Sequence, residues 1–183
     1  MSGSIITQKK IADAFKQVLY QSDLESITVS QLMKQAKMRR QTFYDYFLDK
    51  YDLVNWIFQQ ELTEIINDNI GYRNWKDILG LLVEYFESNC HFYLKVLSYD
   101  GQNAFKFFLK EEIDQLLQSL LISAYKSKDK NIVFKSHENG LYCRILTNGL
   151  VETVTEWILS ECPIDSRDLS RYFIDYLNHF ISS

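Results

Sequence analysis

Within the eight residues 39–46, Arg39, Arg40, Gln41, Thr42, Tyr44 and Tyr46 gather side chains able to recognise a polyanion and the edges of its bases. An arginine can donate a fork of hydrogen bonds to guanine O6 and N7, and a glutamine can make a two-point pair with adenine. Threonine and tyrosine hydroxyls reach phosphate oxygens. Thr28 upstream and Lys50 downstream add another hydroxyl and another cation. Asp45, among them, could accept from a cytosine amino group or merely end the exposed side, and both readings stay open. To act together, these groups must be presented from one rigid tip.

The apolar spacing supplies such a tip. Ile11, Phe15, Val18 and Leu19 fall at i, i+4, i+7 and i+8, one face of a helix over residues 7–21. Val29, Leu32, Met33 and Ala36 repeat the pattern in a shorter helix, opened by Thr28 with Gln31 three residues on, a capping box. Only a tight turn fits before a third short helix over residues 40–47, where Phe43 and Phe47 share the inner face. Arg40, Gln41 and Tyr44 lie on the opposite side. Two short helices joined by a tight turn and backed by a third form the helix-turn-helix arrangement, whose last helix enters a DNA major groove.

Charge agrees with this polarity. The 183 residues carry a net charge of −4, but residues 1–50 hold eight Lys and Arg against five Asp and Glu, net +3, while the remainder is net −7. A basic end on an acidic body meets phosphate in one orientation only. Residues 1–50 are thus expected to form the nucleic-acid-binding domain and residues 51–183 a second helical domain. One proline and six glycines leave little turn chemistry for many short strands, so the fold class expected is all-α.

Further helices are expected over residues 50–70, capped by Asp49 with Asp52 and ended at Gly71, and over 74–97 and 103–126, separated at Gly101. A long kinked helix over 132–160 is expected to stop at Pro163, and Asp165 with Asp168 opens a last helix ending near residue 181. Between residues 85 and 108 stand eight aromatics, of which Tyr85, Phe86, Tyr93, Phe105 and Phe108 are candidates to line a small-molecule pocket as well as a core. Leu150, Val154 and Trp157, then Phe173, Tyr176, Leu177 and Phe180, carry more apolar surface than a lone helix pair needs. A four-helix bundle between two copies would bury the surplus.

Other chemistry has little support. No G-x-S-x-G, Gly-rich phosphate loop or H-E-x-x-H occurs, so an enzyme is not expected. Cys90, Cys143 and Cys162 are too scattered for a disulfide framework and read as buried thiols, and His91, His137 and His179 lack partners at metal spacing. No metal or cofactor is expected. The absence of a long apolar stretch or a secretory leader points to a cytoplasmic protein.

The run Thr28-Val29-Ser30-Gln31-Leu32-Met33-Lys34-Gln35-Ala36-Lys37-Met38, followed by Thr42-Phe43-Tyr44-Asp45-Tyr46-Phe47 and Lys50-Tyr51-Asp52-Leu53, resembles the DNA-binding head of the tetracycline-repressor (TetR) family over residues 7–55. The resemblance implies a homodimeric transcription regulator whose second domain receives a ligand or a partner. It places Thr28, Thr42, Tyr44, Tyr46 and Lys50 where phosphates are held, and Arg39, Arg40 and Gln41 where bases are read on a near-palindromic site. The chain departs from the pattern at Lys37, where glycine is usual, and at Arg39, where serine is frequent. Trp75 to Leu79, Tyr85-Phe86, Phe92-Tyr93 and the segment ending in Trp157 further resemble a branch that activates dihydroxyacetone-utilisation operons. That branch implies a sensor protein related to the dihydroxyacetone kinase subunit as partner, in place of a small-molecule effector held by this chain. A repressor released by a small molecule, or an interaction module that has lost DNA binding, are the alternatives.

Overall fold

Ile11, Phe15 and Leu19 are buried as their spacing requires, on a first helix, α1 (Ser2–Gln21), that begins earlier than the apolar periodicity alone indicates. The computed structural model describes residues 2–67, 75–99, 104–126 and 136–182. After a 3-10 turn, Leu24–Ser26, comes α2 (Val29–Gln35), with Thr28 Oγ1 accepting from the Gln31 amide at 3.2 Å. The expected cap is therefore present.

Helix α2 ends on a left-handed residue. Lys37 has φ 56°, its amide bonds to Lys34 O at 3.2 Å, and the Met38 amide bonds back to Met33 O at 2.9 Å, the paired bonds of a Schellman ending. A side chain in this conformation costs about 1 kcal/mol relative to glycine. Lys37→Gly is accordingly expected to raise stability by about 1 kcal/mol, a gain of about 2–4 °C in thermal melting. An unchanged or lower midpoint would show that Lys37 is unstrained.

Helix α3 (Arg40–Tyr44) is shorter than expected, because its chain tightens into a turn in which the Tyr46 and Phe47 amides both bond to Phe43 O, at 3.0 and 2.9 Å. Asp49 then opens α4 (Lys50–Asn67), its Oδ1 accepting from the Tyr51 and Asp52 amides at 2.8 Å each, while Asp52 Oδ2 accepts from the Leu48 amide. The expected end marker, Gly71, lies outside the described residues, as does Gly101.

The single helix expected over residues 74–97 is two, α5 (Trp75–Ser88) and α6 (Cys90–Leu97). Asn89 breaks it: both its amide and its side-chain Nδ2 donate to Tyr85 O, at 3.1 and 2.9 Å, so the side chain competes for the helix's own acceptor. Three longer helices follow, α7 (Ala104–Lys126), α8 (Ser136–Leu159) and α9 (Ser166–Ser182). Residue 132, the expected start of the eighth, is outside the described residues. Pro163 is not what stops α8. A second Schellman ending does so, with Glu161 (φ 61°) bonded to Ile158 O and Cys162 (φ 51°) bonded to Trp157 O, both at 2.9 Å. Asp165 caps α9 through the Asp168 amide at 2.9 Å, and Glu87 of α5 accepts from the Ser166 amide and hydroxyl at 3.0 and 2.6 Å.

The described residues form an all-α fold in which α9 packs on α5, α7 on α8, α4 on α5 and α7, and the short α6 against both α1 and α8. This packing corrects the expected intersubunit stripe. Leu150, Val154, Trp157, Phe173 and Leu177 are buried within the chain's own core, because α8 and α9 close onto α7 and α5. Of the six whose side chains are described only Tyr176 is exposed, and the Phe180 side chain lies outside the described residues.

The aromatic cluster is likewise closed. Phe58 of α4, which the sequence did not single out, is its hub: its ring stacks on Phe86 at 5.9 Å and meets Tyr85, Tyr93, Phe105 and Phe108 within 6.3 Å. Tyr93 and Phe105 stack on each other at 5.4 Å. Ring edges and faces therefore pack directly against one another, and among the described residues Phe86 of the five candidates borders a cavity. That cavity, between α5, α7, α8 and α9, is lined only by apolar residues and holds about 30 Å³. Ligand sites are typically about 300–1,000 Å³.

Candidate nucleic-acid interface

Phe43 and Phe47 anchor the tip. Their rings lie 5.5 Å apart, and Phe47 meets Trp56 of α4 edge-on at 5.7 Å. With Leu32, Met33 and the buried face of α1, they fix α3 across α2. Arg39, Arg40, Gln41, Tyr44 and Asp45 are exposed on the outer side, and Thr42 and Tyr46 are half-buried at its margin. The structure thus brings together every residue from 39 to 46 that the sequence marked.

Arg40 and Tyr44 form a unit one helical turn long. The Arg40 guanidinium donates to the Tyr44 hydroxyl at 3.2 Å and sits 5.7 Å from its ring centroid. Among the described residues one of its five guanidinium donors is engaged, so the fork that suits a guanine edge stays available. Arg39 occupies the N-cap of α3 without a side-chain cap bond. A cationic residue at a helix N-cap is unfavourable for the helix and favourable for an approaching phosphate. Thr28, exposed, accepts a bond at its oxygen and keeps its hydroxyl proton for an acceptor outside the chain.

Lys50 is placed differently from the others. It is half-buried, and its ammonium donates to the carbonyls of Glu25 at 2.7 Å and Ile27 at 3.1 Å, leaving one N–H for a phosphate. Burial lowers its pKa, while Glu25 and Asp49 pull in the opposite sense. Lys50 therefore braces the connection between α1 and α2 that sets Thr28. Lys50→Met is expected to lower stability by about 1–2 kcal/mol in urea unfolding, since two bonds from a charged donor disappear. An unchanged midpoint would leave the brace without energetic weight.

Three further residues matter that the sequence did not reveal. Lys95 of α6 donates to Tyr20 O and Ser22 O, at 3.3 and 2.9 Å, closing the end of α1. Lys16 of α1 pairs with Glu61 of α4 at 2.6 Å, and Glu61 accepts from the Tyr85 hydroxyl at 2.6 Å. Because Tyr85 gives its only proton to Glu61, Tyr93 is the donor in the short bond between the two tyrosines. Burial raises the pKa of both phenols, so they remain protonated donors. This relay runs from α1 into the aromatic cluster. Its partners are 45 and 24 positions apart, a separation no local pattern signals.

Comparison with known proteins points the same way. Residues 73–179 match the family described as a transcriptional regulator C-terminal region. The chain is 38% identical over 159 residues, 87% of its length and 83% of the relative's, to the HTH-type dhaKLM operon transcriptional activator DhaS of Lactococcus lactis subsp. lactis. A solved dihydroxyacetone kinase operon activator DhaS superposes with a TM-score of 0.78 at 32% identity, covering 97% of both chains. FadR of Bacillus subtilis, solved with stearoyl-CoA, shares the fold at a TM-score of 0.64 and 21% identity, over 92% of this chain and 96% of that one.

Proposed function

The chain belongs to the TetR family of transcriptional regulators, and from that premise we propose that it activates a dihydroxyacetone-utilisation operon by binding, as a homodimer, a near-palindromic site. Regulators of this family bind DNA and dimerise. In this reading residues 1–50 are the DNA-binding domain and residues 51–183 hold the dimer and receive the signal. Arg39, Arg40 and Gln41 read bases, and Thr28, Thr42, Tyr44, Tyr46 and the remaining N–H of Lys50 hold phosphates. The two α3 helices enter successive major grooves about 34–36 Å apart.

The observation that carries the reading is the exposed Arg40–Tyr44 unit at the outer side of α3. The dimer reading now rests on other residues than the buried stripe: Tyr172 and Tyr176 on α9, and Leu141 and Ile145 on α8, are exposed one turn apart on their helices. The operon follows from the name of the 38% identical relative. A closed aromatic cluster favours a signal delivered by a partner protein, related to the kinase subunit, over a small molecule held among Tyr85, Phe86, Tyr93, Phe105 and Phe108. A protein with this work belongs in the cytoplasm, with the DNA.

Selection of genomic fragments by the purified protein tests the proposal. The expected result is enrichment of an inverted repeat upstream of dihydroxyacetone kinase genes. Recovery of fragments without a shared repeat, or a monomer in light scattering at micromolar concentration, would overturn it.

A further inference from the structure

Cys90 and Cys162 come from positions 72 apart in the chain, yet their sulfurs meet at 2.7 Å. The backbone holds each in place. Cys90 is the first residue of α6, just after the break that Asn89 imposes, and its Sγ also faces Ile158 O at 4.0 Å. Cys162 is the last residue of the Schellman ending of α8, in the left-handed conformation with its amide bonded to Trp157 O. Trp157 in turn donates to Ile164 O at 2.9 Å, which clamps the corner from the other side. Both residues are half-buried, whereas the third cysteine, Cys143, is buried in the core.

We propose that Cys90 and Cys162 are an oxidisable dithiol that a peroxide-class oxidant converts to an intramolecular disulfide, fastening α6 to the corner between α8 and α9. One sulfur of the pair attacks peroxide, the O–O bond breaks, and a sulfenic acid and one water result. The other sulfur displaces that oxygen as a second water, forming the S–S bond. The two thiols lose two electrons, peroxide gains them, and both thiol protons leave in the waters. Thiols in a reducing cytoplasm stay reduced, so such a pair works as a transient sensor and not as a structural staple. Burial, with Cys90 alongside, pushes the Cys162 thiol up to about 12, which holds Cys162 in the protonated, weakly nucleophilic form and leaves the first attack on peroxide to Cys90, with Cys162 as the resolving sulfur.

The fastening has a recipient. Helix α6 holds the end of α1 through Lys95 and packs Phe92 edge-on against Phe15 at 6.2 Å, so a bond at its first residue acts on the helix that supports the DNA-facing tip.

Treatment of the purified full chain with hydrogen peroxide tests this. The titratable thiols should fall from three to one, peptide mapping should link Cys90 to Cys162, and the melting temperature should rise by about 5–15 °C, reversibly on reduction. Cys162→Ser and Cys90→Ser should each abolish the rise, and Cys143→Ser should keep it. Three thiols remaining under oxidant, a bond that includes Cys143 or joins two chains, or a rise that persists in both Cys90→Ser and Cys162→Ser would overturn the proposal.

Discussion

Phe58→Ala is expected to lower the stability of the whole chain by about 3–5 kcal/mol, a fall of about 6–20 °C in melting temperature. Phe58 is fully buried at the centre of five other rings contributed by α5, α6 and α7. Interiors packed at crystal density relax only partly around a deleted ring, so both the transfer free energy and the cavity count against the variant. The loss should appear in urea unfolding with an unaltered slope. A loss under about 1 kcal/mol would mean that the neighbouring rings collapse into the gap.

Arg40→Ala is expected to weaken binding to a selected operator about 10–100-fold, corresponding to about 1–3 kcal/mol, and to blur preference at one base pair in each half-site. Arg40→Lys separates charge from shape, since a lysine keeps the cation and lacks the fork. It should recover the salt dependence of binding but not the base preference. Tyr44→Phe should fall between wild type and Arg40→Ala, because the ring under the guanidinium remains while the 3.2 Å bond and the hydroxyl's phosphate contact are lost. If Arg40→Lys bound the selected site as wild type does, Arg40 would be a phosphate contact and the base would be read elsewhere.

The legible features were those encoded within one turn of helix. Thr28 with Gln31, Asp49 with Asp52, and Asp165 with Asp168 were readable as caps because donor and acceptor are three residues apart, and each makes its bond. Both Schellman endings were opaque, since Lys37 and Glu161 carry side chains where glycine would have announced a left-handed residue. The break at Asn89 was hidden by continuous apolar periodicity on both sides of it. For the site, residue types showed which groups could meet nucleic acid, and α3 with its two cap residues exposes five of those between 39 and 46. What Lys50 grips was not readable, because its acceptors are backbone carbonyls that every residue possesses. Nor was the destination of Leu150, Val154, Trp157, Phe173 and Leu177: periodicity identifies an apolar face but not whether the same chain or another covers it.

The grip of Lys95 on the end of α1 has a mechanical consequence. Helix α6 has eight residues and so spans about 12 Å, with Cys90 at one end and Lys95 near the other. A tilt of about 10° pivoting on the first residue would sweep the far end by about 2 Å, and α1, held there by two carbonyls, would travel with it. In a symmetric pair both tips would shift together, changing a separation that the helical repeat of the duplex holds to a narrow value. A lever this short turns a small rotation among the rear helices into a mismatch with the double helix.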